Sequence, residues 1–367
     1  MKMETNERKL FQELCKISGL FEDDSIFETV TPELLGYLFF NRMHGIAYHQ
    51  LKANLALHKV PREFRNSLKA AYDQNILLNQ DYKECVKYVA SLLKDSNCMY
   101  AMLKGAFLCF YYPEGCRISN DIDLLVPPND VSKIGGILAE NGFIQGKIEN
   151  DVFVPATRRE IIESKMLRGE TVPYIKEVNL PSRKYLEVDI NYSLDYKNSD
   201  SRLVEEMIAR TKPVDLDDHT MKVLSEEDFL IHLCVHLYKE ATTYPWVVMQ
   251  RDMVLYKYED IRYMLSRMSY GDITKVFKRA EELKLDKECA YAFLQTSELL
   301  GLDVYIVLWS LMALGNDNDI LHIVVSPSDK ITYRYINEDI QDRFFHNQRK
   351  KLLREVKNNA TVIDEKT

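Results

Sequence analysis

The segment Asp121-Ile122-Asp123-Leu124-Leu125-Val126 constrains this chain more than any other. Its apolar run has the length of a buried strand, and in a strand alternate side chains face the same way. Asp121 and Asp123 then project from one face about 6.6 Å apart, at a rise of roughly 3.3 Å per residue. Two carboxylates on an otherwise apolar strand are costly to bury unless they are paired or hold a metal. Oxygen donors set this way suit hard divalent cations and, through them, phosphate chemistry.

The preceding residues sharpen that expectation. Residues 98–103 form a short apolar run suited to a strand, Lys104-Gly105-Ala106 reads as a turn, and residues 107–112 read as the opening of a helix. A strand, a glycine turn and a helix N-terminus offer unpaired backbone N–H groups to an anion, and Lys104 adds positive charge. A further carboxylate is expected from a neighbouring strand. Residues 185–192 alternate apolar and polar side chains, the period of a strand with one buried face, and put Glu187 and Asp189 on a common face. Either would complete a metal cluster; an amphipathic strand with its acids in water is the plain alternative.

These residues resemble the uncharacterised nucleotidyltransferases of the polymerase-beta-like superfamily. The resemblance covers Leu103-Lys104-Gly105-Ala106, then Arg117 through Val126, then Asn141-Gly142-Phe143, and finally Val188-Asp189-Ile190-Asn191-Tyr192. It implies an α+β fold: a polymerase-beta-like core, a small mixed sheet with helices, flanked by N-terminal and C-terminal helical regions. It further implies that Asp121, Asp123 and Asp189 hold two Mg²⁺ ions, and that the Gly105 turn cradles a nucleoside triphosphate. Lys104, Gly105, Arg117, Ser119 and Lys239 are the nucleotide-contact candidates, and Glu187 is the candidate general base. The chain departs from the wider pattern twice. Ala106 stands where a small hydroxyl residue is usual, and Asn191-Tyr192 stands where His-Trp often follows the third acid.

A length of 367 residues exceeds the usual single-domain range, and an apolar fraction of 46% allows a sizeable core. The expected organisation is a helical region over 1–95, a nucleotidyltransferase core over 96–195 with an insertion at about 144–184, and a helical region over 196–367. Helices are expected over 32–51, 61–67, 68–94 and 131–140. The insertion, broken by Pro155, Pro173 and Pro181, reads as a hairpin or flexible segment. After Ser193 the chain is expected to return to helix, with a capping-box-like start at Ser225. No long uncharged apolar run and no signal-like start are present, so a soluble cytoplasmic protein without membrane contact is expected.

Seven cysteines without metal-binding spacing read as reduced, small hydrophobic side chains. A formal charge of −8 disfavours a protein that grips long nucleic acid. The cluster Arg349, Lys350, Lys351, Arg354 and Lys357 reads as a solvated helix face. His232 and His236, four apart on a helix, read as packed or hydrogen-bonded rather than metal-bound, with Lys239 one turn away and placed to reach phosphate. Tyr256, Tyr258 and Tyr263 read as core and rim. Gly135-Gly136 lacks dinucleotide-fingerprint spacing, and no Walker-type loop is present.

The expected reaction is transfer of an NMP group from an NTP co-substrate to a small-molecule, peptide or protein acceptor, with release of pyrophosphate. A nucleotide-binding protein without catalysis and an interaction protein on the same fold are the alternatives.

Overall fold

The computed structural model describes residues 4–167, 169–194, 201–216 and 219–356. Eight strands share one sheet: β1 (Ala101–Met102), β2 (Asp121–Leu125), β3 (Ile144–Glu149), β4 (Val152–Pro155), β5 (Tyr174–Leu180), β6 (Arg183–Asn191), β7 (Lys212–Leu216) and β8 (His219–Val223). Their order is β4-β3-β5-β6-β2-β1-β8-β7. The sheet is mixed, as expected: β2 runs parallel to β6 and β1 parallel to β8, while the remaining pairs are antiparallel.

Alternation along the two central strands divides the sheet into an apolar and an acidic face. Ile122 and Leu124 of β2, with Leu186, Val188 and Ile190 of β6, are fully buried in one cluster with Tyr82, Val86 and Val89 of the helix Arg62–Leu93 and Ile134 of the helix Pro128–Glu140. The intervening residues, Asp121, Asp123, Glu187 and Asp189, therefore lie on the other face. That single helix of 32 residues replaces the two expected over 61–67 and 68–94. The expected 32–51 helix is instead two, Pro32–Phe40 and His44–Ala53, separated where Arg42 adopts a positive φ of 57°.

Three expectations need correction. The 98–103 strand shrinks to the two residues of β1, which pair with β2 on one side and β8 on the other. The 144–184 insertion contains the expected hairpin, β3–β4, but goes beyond it with a helix Arg158–Leu167 and β5 paired with β6, all extending the sheet. After Ser193 the chain does return to helix, over Ser201–Ile208, but the hairpin of β7 and β8 then rejoins the same sheet, beyond the expected core limit at residue 195.

The C-terminal region is mainly helical but ends in a small sheet of β9 (Ile323–Ser326), β10 (Ile331–Tyr335) and β11 (Leu353–Glu355). This overturns the solvated helix face expected near residue 350. Residues Arg349–Leu352 form a 3₁₀ turn, and the buried Arg349 guanidinium donates to Asp252 at 2.7 and 2.9 Å; Lys357 lies outside the described residues. All seven cysteines are buried free thiols. Among the described residues no helix is long and apolar enough to cross a membrane.

Candidate active site

The parallel register sets Asp121 beside Glu187 and Asp123 beside Asp189, so four carboxylates form two cross-strand pairs on one face. Each strand contributes its acids two residues apart, and the register leaves neither out of step. Burial and mutual repulsion push the Asp121 carboxyl up, push Glu187 up in the same way, and hold Asp189 well above the ordinary carboxylate range. Such a cluster calls for positive charge.

Part of that charge is already present. Lys104 Nζ lies 3.1 Å from Asp123 Oδ1, and Asn191 Nδ2 donates to the same oxygen at 3.3 Å. Burial alone would lower the Lys104 ammonium, but the fields of Asp123, Asp121 and Glu240 raise it, so it stays charged. Its backbone adopts φ 41°, ψ −115°, a conformation favoured by glycine and strained for lysine. Strain sits on the residue that aims the ammonium.

Gly105 has a different task from the one its turn suggested. A Cβ at this position would meet Ser119 Oγ at 2.0 Å and Ser119 Cβ at 2.5 Å, so its bare Cα is what lets the start of the helix Gly105–Tyr111 lie against the 113–120 loop. The N–H groups of Ala106, Phe107 and Leu108 already donate to the carbonyls of Leu103 and Lys104. The expected row of unpaired donors beyond the glycine is therefore not found there.

Arg117 is also committed. Its guanidinium donates to Asp260 from Nε at 3.0 Å and Nη2 at 3.0 Å, with Nη1 on Ser119 Oγ at 3.2 Å and the Tyr256 ring 4.5 Å away. Expected to neutralise phosphate charge, it lines the cleft with its own charge already matched by Asp260, so that it acts as a buried tie. Ser119 is correspondingly held between Arg117 and Gly105. Its carbonyl and that of Asn120 accept from Arg183, a residue the sequence reading passed over, at 2.8 and 2.5 Å.

The carboxylates floor a cleft of about 680 Å³. Asp121, Asp123 and Glu187 face it, with Lys104, Gly105, Arg117 and Ser119 beside them. The walls come from both flanking regions: Phe39, Phe40 and Arg42 from one, and His236, Glu240, Trp246, Arg251, Tyr256 and Lys257 from the other. Lys257 is buried and bonded to Glu240, and it donates to the Arg251 carbonyl at 3.0 Å. Tyr256, read from sequence as rim, carries the Arg117 and Arg42 guanidiniums over its ring at 4.5 and 5.3 Å. Sequence spacing carried no signal for these wall residues, because they converge only through the packing of three regions. Lys239 is not among the lining residues.

The two histidines behave as packed side chains. They stack with ring centroids 6.3 Å apart. Burial and the Lys104 charge push His232 down to about 3 and His236 well below its ordinary value. His236 Nε2 lies 3.4 Å from Glu240 Oε1, and with the ring neutral this is a polar contact rather than an ion pair.

Metal fit can be judged from the donors. Hard carboxylate oxygens on one face suit Mg²⁺, and Asp189 Oδ1 is buried with no hydrogen-bond partner. Among the described residues, however, no three acidic, His or Cys side chains converge into a ready cage. The donor set fits the ion in chemistry, and Lys104 holds the position beside Asp123.

Comparison with known proteins now bears on these features. Residues 29–301 match the family model described as uncharacterised nucleotidyltransferase. The chain belongs to this family. The match spans the helices from Pro32 onward, the whole large sheet and the wall residues of the cleft, so all parts of the site lie within it. No curated protein matches the sequence. Among solved structures, an antigenic nucleotidyltransferase-like protein from Paracoccidioides brasiliensis is similar at 16% identity, covering 53% of this chain and 91% of that one with a TM-score of 0.31. That likeness is too loose to carry a structural inference.

Proposed function

We propose that this nucleotidyltransferase-family chain transfers an NMP group from a nucleoside triphosphate to an acceptor nucleophile in a divalent-metal-dependent reaction. The observation supporting this most is the in-register set of four carboxylates, three of them flooring a cleft whose walls carry Lys104, Arg42, Arg251 and Lys257. Carboxylates to hold cations and cations to hold phosphates are both present.

Asp121 and Asp123 are the proposed ligands shared by two Mg²⁺ ions, with Asp189 as the third acid. Bound there, the ions would supply charge to the α-phosphate, the acceptor oxygen and the leaving pyrophosphate. Lys104 would release Asp123 and hold phosphate oxygens, which its flexible stem allows. Arg42 and Arg251 would orient the triphosphate, and the apolar wall of Phe39, Phe40 and Trp246 would exclude water around it. Glu187 faces the nucleotide cleft and is placed to take a proton.

The deciding experiment incubates the full chain with each α-labelled NTP, Mg²⁺ and fractionated cell extract, following both label and pyrophosphate. Transfer is expected for the wild type and lost in Asp121→Asn and Asp123→Asn. A second reading, nucleotide binding without transfer, draws on the Lys104 ammonium held against Asp123. Tight Mg²⁺-dependent NTP binding with no pyrophosphate from any fraction would replace the first reading with the second.

A further inference from the structure

Transfer between two substrates requires two binding spaces that meet at the reacting atoms. The cleft described above is lined by three of the four carboxylates, but Asp189 is not among them. Asp189 instead lines a separate cavity of about 390 Å³, enclosed by β3, the helix Arg158–Leu167 and residues 170–173. This volume lies at the lower end of the range typical of small-molecule sites. Asp189 is also the register partner of Asp123, so the two spaces flank a single carboxylate cluster.

The cavity carries two orphaned polar atoms. Thr171 is 2% exposed, yet its Oγ1 has no hydrogen-bond partner, and neither does Asp189 Oδ1. Both residues line this cavity. Buried polar groups are seldom left unmade; the cation proposed for Asp189 would answer its oxygen, and the Thr171 hydroxyl calls for a polar ligand in this space. The charge is one-sided too. Among the described side chains, Glu160, Glu163, Glu170 and Asp189 line the space against Lys147 alone. That ammonium lies 2.8 Å from Glu149 and 3.8 Å from Glu160, and Arg159 answers Glu163 at 2.6 Å. Among the described residues no cation pairs with Glu170 or Asp189.

We propose that this cavity is the acceptor site, and that the acceptor is a small molecule carrying an ammonium group beside its hydroxyls, of the amino-alcohol or amino-sugar class. This rests on the nucleotidyl-transfer reading. The ammonium is held by Glu170, Thr171 takes part in positioning a hydroxyl, and the reacting hydroxyl lies at Asp189. Its oxygen forms a bond to the α-phosphorus as the bond to the bridging oxygen of pyrophosphate breaks. The hydroxyl proton is released to solvent as that bond forms, and pyrophosphate leaves through the opposite cleft.

The test has a binding arm and a transfer arm, both on the full chain. In the first, ethanolamine, serinol and glucosamine are compared with ethylene glycol, glycerol and glucose by ligand-observed NMR without nucleotide. Binding is expected for the ammonium-bearing members only, weakened about tenfold in Glu170→Gln, the loss of one charge-assisted contact. Thr171→Val should weaken it as well while the melting temperature holds or rises, because an unpaired hydroxyl is replaced by a methyl group. Equal binding of the neutral compounds, or unchanged binding in both variants, overturns the acceptor site. In the second arm, α-labelled NTPs and Mg²⁺ are added, and label is expected on the ammonium-bearing compounds. Label passing to extract fractions without ammonium-dependent binding overturns the cavity proposal and leaves nucleotidyl transfer standing. Ammonium-dependent binding without any pyrophosphate release overturns the transfer reading instead.

Discussion

Gly105 and the four carboxylates are the residues at which this site is most sensitive to single atoms. Adding one methyl group in Gly105→Ala would drive a Cβ to within 2.0 Å of Ser119 Oγ, and Ser119 is held by Arg183 at its carbonyl and by Arg117 at its hydroxyl. Overpacking of this kind costs about 1–3 kcal/mol. Chemical denaturation should show that loss in Gly105→Ala and a partial return in the double variant with Ser119→Gly, which removes both clashing atoms; an uncoupled pair would mean the loop simply moves away. Asp189 gives a prediction of opposite sign. Its carboxyl, with those of Asp121 and Glu187, binds a proton more tightly when folded than when unfolded. The cluster therefore favours folding below the ordinary carboxylate range, and that contribution is lost as pH rises through the raised folded values. In EDTA, Asp189→Asn should stabilise the chain more at pH 8 than at pH 5, by on the order of 1 kcal/mol at the higher pH. Equal denaturation midpoint shifts at both pH values would show that the carboxylate is not under the strain assigned to it. In wild type, saturating Mg²⁺ should raise stability by roughly 2.7 kcal/mol at a hundred times its Kd, an increment that Asp123→Asn abolishes.

At the scale of elements, what the sequence discloses is local periodicity, and what it hides is long-range partnership. The strand periods of β2 and β6 were legible because each acid sits two residues from the next within an apolar alternation. Their parallel pairing in register carries no local mark, nor does the sheet position of β8 beside β1. Arg117 shows the cost of reading locally. Near two aspartates it looks like a phosphate contact, yet its partner Asp260 lies 143 residues away on the helix Tyr256–Ser266. That ion pair is buried on both sides and ties the loop before β2 to a cleft wall. Arg117→Met should cost about 3–5 kcal/mol, since it strands a buried carboxylate. Arg117→Met with Asp260→Leu should recover much of the loss. If Arg117 instead served nucleotide alone, Arg117→Met would raise the apparent Kd for NTP and leave the thermal midpoint in place.

The whole molecule is held by a core that ignores the regions suggested by composition. One continuous cluster joins Leu10, Phe11 and Leu34 from the N-terminal helices to Leu103, Leu108 and Leu125 around the sheet and to Phe229, Ile261 and Phe293 from the C-terminal helices. Helical character before residue 96 and after 225 was legible, but the sharing of one core was not, because apolar periodicity shows which face is buried and not what buries it. The cleft follows the same plan, with Phe40 and Arg42 on one side, Trp246 and Arg251 on another and the acids beneath. A fragment of residues 96–223 keeps every strand of the large sheet but exposes Leu103, Leu108, Leu125 and their neighbours to water. Each large apolar side chain so exposed forfeits about 1.5–3 kcal/mol, more in sum than the roughly 5–15 kcal/mol by which domains are stable. The fragment should therefore show no cooperative melting and no NTP binding, while the full chain melts in one transition monitored by near-ultraviolet circular dichroism and calorimetry. Two separated transitions in the full chain, or a fragment that melts cooperatively and binds NTP, would show that the sheet is self-sufficient and that the flanking helices are additions to the site rather than its walls.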